Sequence, residues 1–248
     1  MIFNHLKLAW RQLTKYKFYS LINIGGLSIG VACCIIILLY IQYELSYDAY
    51  HENADDIYRV ALDINLNQSD DIGIAVPAPL GPTMEQDLPE VVKAARINVF
   101  FDDAGSNIVR ASNQTEGSFQ KGFVYIDPEF GDLFSFEALK GNPATWLEQP
   151  NSIVITESVA KQFFGDTNPI DQSFILNEDP EDQYRITGVI KDLPKNTHLD
   201  YDYFMSMSTL PSSESNNWIS NAYFAYVQLA ENAEPAVLQD KLYDFGLK

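Results

Sequence analysis

The sequence has no acidic side chain ahead of Glu44; the fixed charges there are Lys7, Arg11, Lys15 and Lys17, all positive. That absence stands out in a chain of formal net charge −18, with 34 acidic residues against 16 basic ones. The whole acidic excess therefore belongs to residues from Glu44 onward. A domain so charged has no clustered Lys and Arg with which to displace counterions, which excludes nucleic acid as a partner. Cysteine is nearly absent too. Cys33 and Cys34 are the only two, and both lie in an apolar run. They have no charged neighbour to make a thiol reactive, so they read as apolar filling. Everything after them must fold without disulfides, which a domain of about 200 residues can do by burial alone.

Chemistry is also sparse. No G-x-x-x-x-G-K-[ST], H-E-x-x-H or C-x-x-C occurs, so no phosphate loop, zinc helix or redox pair is expected. The three histidines, His5, His51 and His198, are scattered. His198 lies near Asp192, Asp200 and Asp202, which invites a metal or acid–base reading, but a bare His among acids on a turn more often stabilises the turn. The acidic run Glu178–Asp182 lacks the spacing and glycine of a calcium loop and reads as a solvated hairpin tip. The expectation is no catalytic residue, no cofactor and no metal.

What the sequence does have is a long apolar run. Phe18 to Tyr43 carries no charge, and Ile29 to Ile41 is almost wholly apolar. At ~1.5 Å per residue the run reaches ~37 Å, enough to cross a ~30 Å hydrocarbon layer with some tilt. Tyr16, Phe18 and Tyr19 mark one end and Tyr40, Tyr43 and Tyr47 the other, as suits the headgroup level. Positive charges precede the run, so residues 1–17 should stay cytoplasmic and residues 44–248 should lie across the membrane. A cleaved signal would have a shorter core and a small-residue site after it. Ile35 to Leu39 continue the run past Cys33, which argues against a lipoprotein signal.

Gly26 and Gly30 form a G-x-x-x-G pair, with Ser28 and Ala32 as a second small pair. Such residues let membrane helices approach closely, so this face is expected to pack against other spans. Residues 1–17 read as an amphipathic helix. Ile2, Phe3, Leu6, Ala9, Trp10, Leu13 and Tyr16 fall on one side; Asn4, His5, Lys7, Arg11, Gln12, Thr14 and Lys15 take the other, with Leu8 as an intruder. A basic helix of this kind lies in the membrane interface, with Phe3, Leu6, Trp10 and Leu13 toward lipid and Lys7 and Arg11 among its cations.

Beyond the membrane, Asp55–Asn65 reads as a strand beginning near Ile57, followed by a Pro-punctuated loop, a short helix at Thr83–Asp87 and a strand from Val91 to Phe101. Gly122–Ile126 is strand-like, and Asp127-Pro128 reads as a capped helix start. Ser152–Thr156 reads as a strand handing over to a helix Glu157–Phe164, capped by Thr156 and stopped at Gly165. Strands are expected near Ser173–Asn177, Tyr184–Lys191, from Leu199, and at Tyr223–Leu229, with a helix at Glu234–Phe245. A second β-α-β unit begins here and its closing strand is missing, so the chain reads as the front of a longer protein. The class is α+β with two lobes, 44–110 with 215–248 forming a β-α-β lobe and 111–214 an inserted strand-rich lobe.

Four stretches carry a family resemblance: Trp10–Gly30; Tyr43–His51 continuing to Ile57–Val60; Ser152–Gly165; and Ile186–His198. In this order they resemble the MacB/FtsX-like permeases of ABC transporters, including the MacB-like periplasmic core domain. The resemblance implies a bacterial inner-membrane protein whose periplasmic domain is followed by three more membrane helices. It implies a separate cytoplasmic P-loop ABC ATPase as partner, a second permease copy or paralogue, and in some systems a periplasmic adaptor. It also implies mechanotransmission, in which ATP-driven helix movement opens or closes the periplasmic lobes. Gly26 and Gly30 would then face partner helices, and His198 and Asp192 would sit in a structural turn. The competing expectation is a single-pass sensor with an outer ligand-binding domain.

Overall fold

In a computed structural model, described over residues 2–66, 69–99 and 107–245, the chain divides into two units, Met1–Ala49 and Tyr50–Lys248. The first unit is two helices, Ile2–Lys15 (α1) and Lys17–Leu45 (α2). Tyr16 separates them with φ −109° and ψ 57°. Its N–H still reaches the Gln12 carbonyl at 3.1 Å, so the chain changes direction without a loop. The apolar run forms one unbroken helix because it contains no proline to remove a ladder bond.

The second unit is built on strands. Ile57–Arg59 (β1), Leu62–Leu66 (β2), Ser69–Gly73 (β3) and Val76–Pro77 (β4) precede the helix Leu80–Asp87 (α3). Val91–Asn98 (β5), Asn107–Ala111 (β6), Ser118–Gln120 (β7) and Phe123–Ile126 (β8) lead to a single helical turn, Phe130–Leu133 (α4). Ala138–Gly141 (β9), Ser152–Thr156 (β10), Glu157–Phe164 (α5), Ser173–Leu176 (β11) and Gln183–Ile190 (β12) follow. Tyr203–Ser206 (β13), Asn221–Leu229 (β14) and Pro235–Phe245 (α6) complete the chain.

Twelve of these strands form one sheet in the order β1-β14-β5-β8-β13-β10-β12-β11-β6-β7, with β4 beside β14 and β9 beside β12. β1 and β5 are each antiparallel to β14, so they run parallel to one another across it, joined through α3. β10 and β12 are parallel, joined through α5. Both of these connections need a crossover helix for that reason. The strands of the first and last segments meet those of the middle segment where β5 pairs β8, through Ile97↔Ile126 and Asn98↔Tyr125.

Both faces of the sheet are covered. Ile153 and Ile155 of β10 join Phe123, Tyr125, Tyr203 and Met205 under α3 and α5. Val154, between them, joins Val124, Ile126 and Phe204 on the opposite side, under Phe130, Leu133, Phe134, Trp146 and Leu147. This is the two-residue alternation of a strand with apolar cover on each side, which is why 153–155 reads as a continuous apolar run. The fold is α+β, as expected.

Several local expectations are corrected. The strand expected over 57–65 breaks at Val60, whose N–H donates to Ala225 O at 2.9 Å; the chain then leaves the large sheet and β2 pairs with β3 alone. The strand from Val91 ends at Asn98, and its expected extension to residues 100–101 lies outside the described residues. The strand expected from Leu199 begins at Tyr203. Neither expected side-chain cap forms. Asp127 is taken by Arg96. The Thr156 hydroxyl donates to Asp202 Oδ1 at 2.9 Å, while Asp192 accepts from the Ser158 N–H at 2.9 Å and its hydroxyl at 2.5 Å. Charged side chains brought in by the tertiary fold, Arg96 at Asp127 and Asp202 with Asp192 at Thr156, displace the local caps, because charge-assisted bonds are the stronger ones. Gly165 does end α5, with φ +57°.

Candidate functional site: the segment that follows the membrane helix

α2 is long and apolar enough to cross a membrane, and none of its residues is buried in the protein. Gly26, Ser28, Gly30 and Ala32 lie exposed along it. A Cβ added at Gly26 or Gly30 would meet nothing within 4 Å. Phe3, Trp10 and Leu13 of α1 are exposed, as are Lys7 and Arg11, and Leu6 lies on the same helix.

The end of α2 is sharply defined. The Ser46 N–H donates to Gln42 O and Tyr43 O, each at 3.1 Å, and its hydroxyl to Tyr43 O at 2.7 Å. Asp48 then takes a positive φ of 57°, a conformation that suits a short polar side chain.

Within the second unit, the next three residues are fastened to distant parts of the sheet domain. The Tyr50 hydroxyl lies 3.4 Å from Thr197 Oγ1. His51 is 5% exposed and packs edge-on against Phe134, ring centroids 5.0 Å apart. The Glu52 N–H donates to Ser135 Oγ at 3.1 Å. Phe134 in turn packs edge-on against Tyr226 of β14 at 5.0 Å and against His198 at 5.7 Å. A ring nitrogen of His198 lies 3.1 Å from the Tyr226 hydroxyl. Edge-to-face pairs contribute about 0.5–1.5 kcal/mol each beyond their buried area, so several around one ring make a stiff attachment.

Two of the three histidines that read as scattered, His51 and His198, thus flank one phenylalanine. Of the acids near His198 in sequence, Asp192 is bonded to Ser158 and Asp202 to Thr156. Among the described residues, no group of three or more His, Cys, Asp or Glu converges to hold a metal ion.

A second fixed point escaped the sequence reading. Arg96, 8% exposed in β5, donates from Nε and Nη2 to the two Asp127 oxygens, 2.9 Å each, and from its own N–H at 2.8 Å. Its Nη1 donates to Ala78 O at 2.6 Å and Ser213 O at 2.9 Å. Burial opposes the Arg96 charge, but the Asp127 hydrogen bonds and charge outweigh it and strengthen its hold on the proton. One side chain so ties β5 to the turn after β8 and to the loops preceding α3 and β14. The available signal was a lone arginine in the apolar strand Ala94-Ala95-Arg96-Ile97.

The description "MacB-like periplasmic core domain" matches residues 20–244. Among solved structures, a domain of a protein designated a permease from Porphyromonas gingivalis is similar at 23% identity, TM-score 0.67, covering 79% of this chain and 84% of that one. The periplasmic region of MacB from Actinobacillus actinomycetemcomitans is similar at 15% identity, TM-score 0.51, covering 76% and 80%. No curated protein matches the chain. At these identities the structural likeness shows a shared fold, and the family match, which spans most of the sequence, goes further: the chain belongs to the MacB-like periplasmic core domain family.

Proposed function

We propose that this chain belongs to a permease subunit of a MacB/FtsX-like ABC transporter, working by mechanotransmission. Family membership supports the permease component. In this reading residues 1–17 lie on the cytoplasmic surface, 18–43 span the bacterial inner membrane, and 44–248 form the periplasmic core. That core comprises a β-α-β lobe (44–110 and 215–248) and an inserted lobe (111–214). A cytoplasmic P-loop ATPase binds ATP, the spans shift, and the periplasmic core moves to export or extract a substrate. A second permease copy or paralogue packs on the Gly26–Ser28–Gly30–Ala32 face, and a periplasmic adaptor completes some such assemblies.

The observation that carries the reading is the attachment of Tyr50, His51 and Glu52 to Thr197, Phe134 and Ser135 a few residues after α2 ends. A slack linker would absorb movement of a membrane helix. A short turn leading into a buried aromatic cluster passes it on, provided ATP favours one of two arrangements. The test is purification of the protein, tagged at its N-terminus, in mild detergent. A stoichiometric P-loop ATPase is the expected companion. A signalling protein in its place, with no ATPase, overturns the permease reading in favour of a single-pass sensor.

A further inference from the structure

The first helix, like α2, exposes large apolar side chains. Phe3, Trp10 and Leu13 are 86, 70 and 42% exposed, a cost in water that a cover would remove. Lys7, Arg11 and Lys15 follow one another at four-residue steps, the spacing that aligns side chains along one side of a helix. No acidic residue precedes Glu44, so α1 offers these cations no i,i+4 partner of its own. Only Tyr16 separates α1 from α2, the helix that crosses the membrane. The bilayer surface is therefore held within one residue of α1 by the chain itself, an effective concentration no diffusing partner matches.

We propose that α1 binds an anionic phospholipid surface, with Phe3, Trp10 and Leu13 entering the acyl boundary and Lys7, Arg11 and Lys15 pairing with headgroup phosphates. This rests on reading α2 as a membrane span. Charge complementarity selects the lipid class: a zwitterionic surface offers the apolar boundary without net charge, whereas an anionic one attracts each nearby cation about fivefold. α1 then reports the charge of the leaflet, docking where anionic lipid is abundant and lifting where it is scarce.

The test uses the full chain with Cys33→Ser and Cys34→Ser, carrying an environment-sensitive fluorophore at Phe3→Cys. It is placed in nanodiscs of phosphatidylcholine alone or of phosphatidylcholine with phosphatidylglycerol. The expected result is a label shielded from aqueous acrylamide, a neutral quencher, in the phosphatidylglycerol discs and quenched in the phosphatidylcholine discs. Lys7→Gln, Arg11→Gln and Lys15→Gln together should lower the docked-to-free ratio on the order of 100-fold, and 1 M salt should do likewise by screening. Equal shielding in both discs, or in the triple variant, overturns the proposal. A label that stays quenched in the phosphatidylglycerol discs also overturns it and leaves a protein partner as the cover of α1. A parallel label at Val31→Cys separates the two failures: if it is water-accessible in every disc, the membrane reading itself has failed.

Discussion

The guanidinium of Arg96 and the carboxylate of Asp127 meet at two points, with Nε and Nη2 each 2.9 Å from a carboxylate oxygen. Both side chains are largely buried, 10 and 13% exposed. Removing one partner of such a pair strands the other, a loss of about 3–5 kcal/mol, whereas replacing both with apolar groups of similar volume costs far less. Arg96→Met should therefore lower unfolding stability by about 3–5 kcal/mol. The double variant Arg96→Met with Asp127→Leu should recover part of that loss. Denaturant unfolding of the four species in a double-mutant cycle measures it, and additive losses would show that the pair is not coupled.

Phe134 is 2% exposed and touches His51, His198 and Tyr226. Phe134→Ala should cost about 3–5 kcal/mol, the range for emptying a buried aromatic site. Tyr226→Phe, which removes only the hydroxyl facing His198, should cost about 1 kcal/mol. Thermal unfolding of both variants checks the order, and a larger loss for Tyr226→Phe would move the centre of the cluster from the ring to the hydroxyl.

Gly141 has φ +87°, and a Cβ there would stand 2.2 Å from Thr187 O. It pairs with Gly188 where β9 meets β12. Gly141→Ala should cost at least about 3 kcal/mol, since backbone strain and a backbone clash act together. The substitution Gly26→Ala meets no neighbouring atom, so the isolated chain should keep its helix content by circular dichroism. If the small-residue face packs against another span, the same substitution should weaken assembly in detergent.

Tyr125 and Tyr184 are buried with hydroxyls 2.8 Å apart. Burial, first of all, pushes both above the ordinary tyrosine value of 10. The folded state therefore keeps these protons at a pH where the unfolded chain releases them, and stability must fall as pH rises past about 10. Tyr125→Phe with Tyr184→Phe should flatten that fall. Denaturation midpoints between pH 8 and 11 read it directly, and an unchanged slope in the double variant would assign it to other groups.

How much of this was legible depends on which force decides each element. α2 was plain from its missing charges, and β10 with α5 from a continuous apolar run followed by Val159, Ala160, Phe163 and Phe164 at helical spacing. The short strands β7 and β9 were not, because Ser118–Gln120 and Ala138–Gly141 expose nearly everything and show no alternation. Caps failed where a distant charged side chain competed, Asp202 at Thr156 and Arg96 at Asp127. The Tyr50–Thr197 contact spans 147 residues of sequence, and no local periodicity encodes it. Arg96 was visible as an oddity, but its partners were fixed only once β5 and β8 paired.

The central claim is that the turn after α2 passes membrane movement into the periplasmic core. The direct measurement places a spin label at the exposed Leu139→Cys and another on the outer domain of the partner permease copy, in nanodiscs with the ATPase, with and without trapped ATP. The account predicts a shift in the distance distribution on ATP binding that a four-residue Gly-Ser insertion after Ala49 abolishes, because slack replaces the tight turn. A shift that survives the insertion, or a distribution that ignores ATP in the uninserted protein, would contradict it.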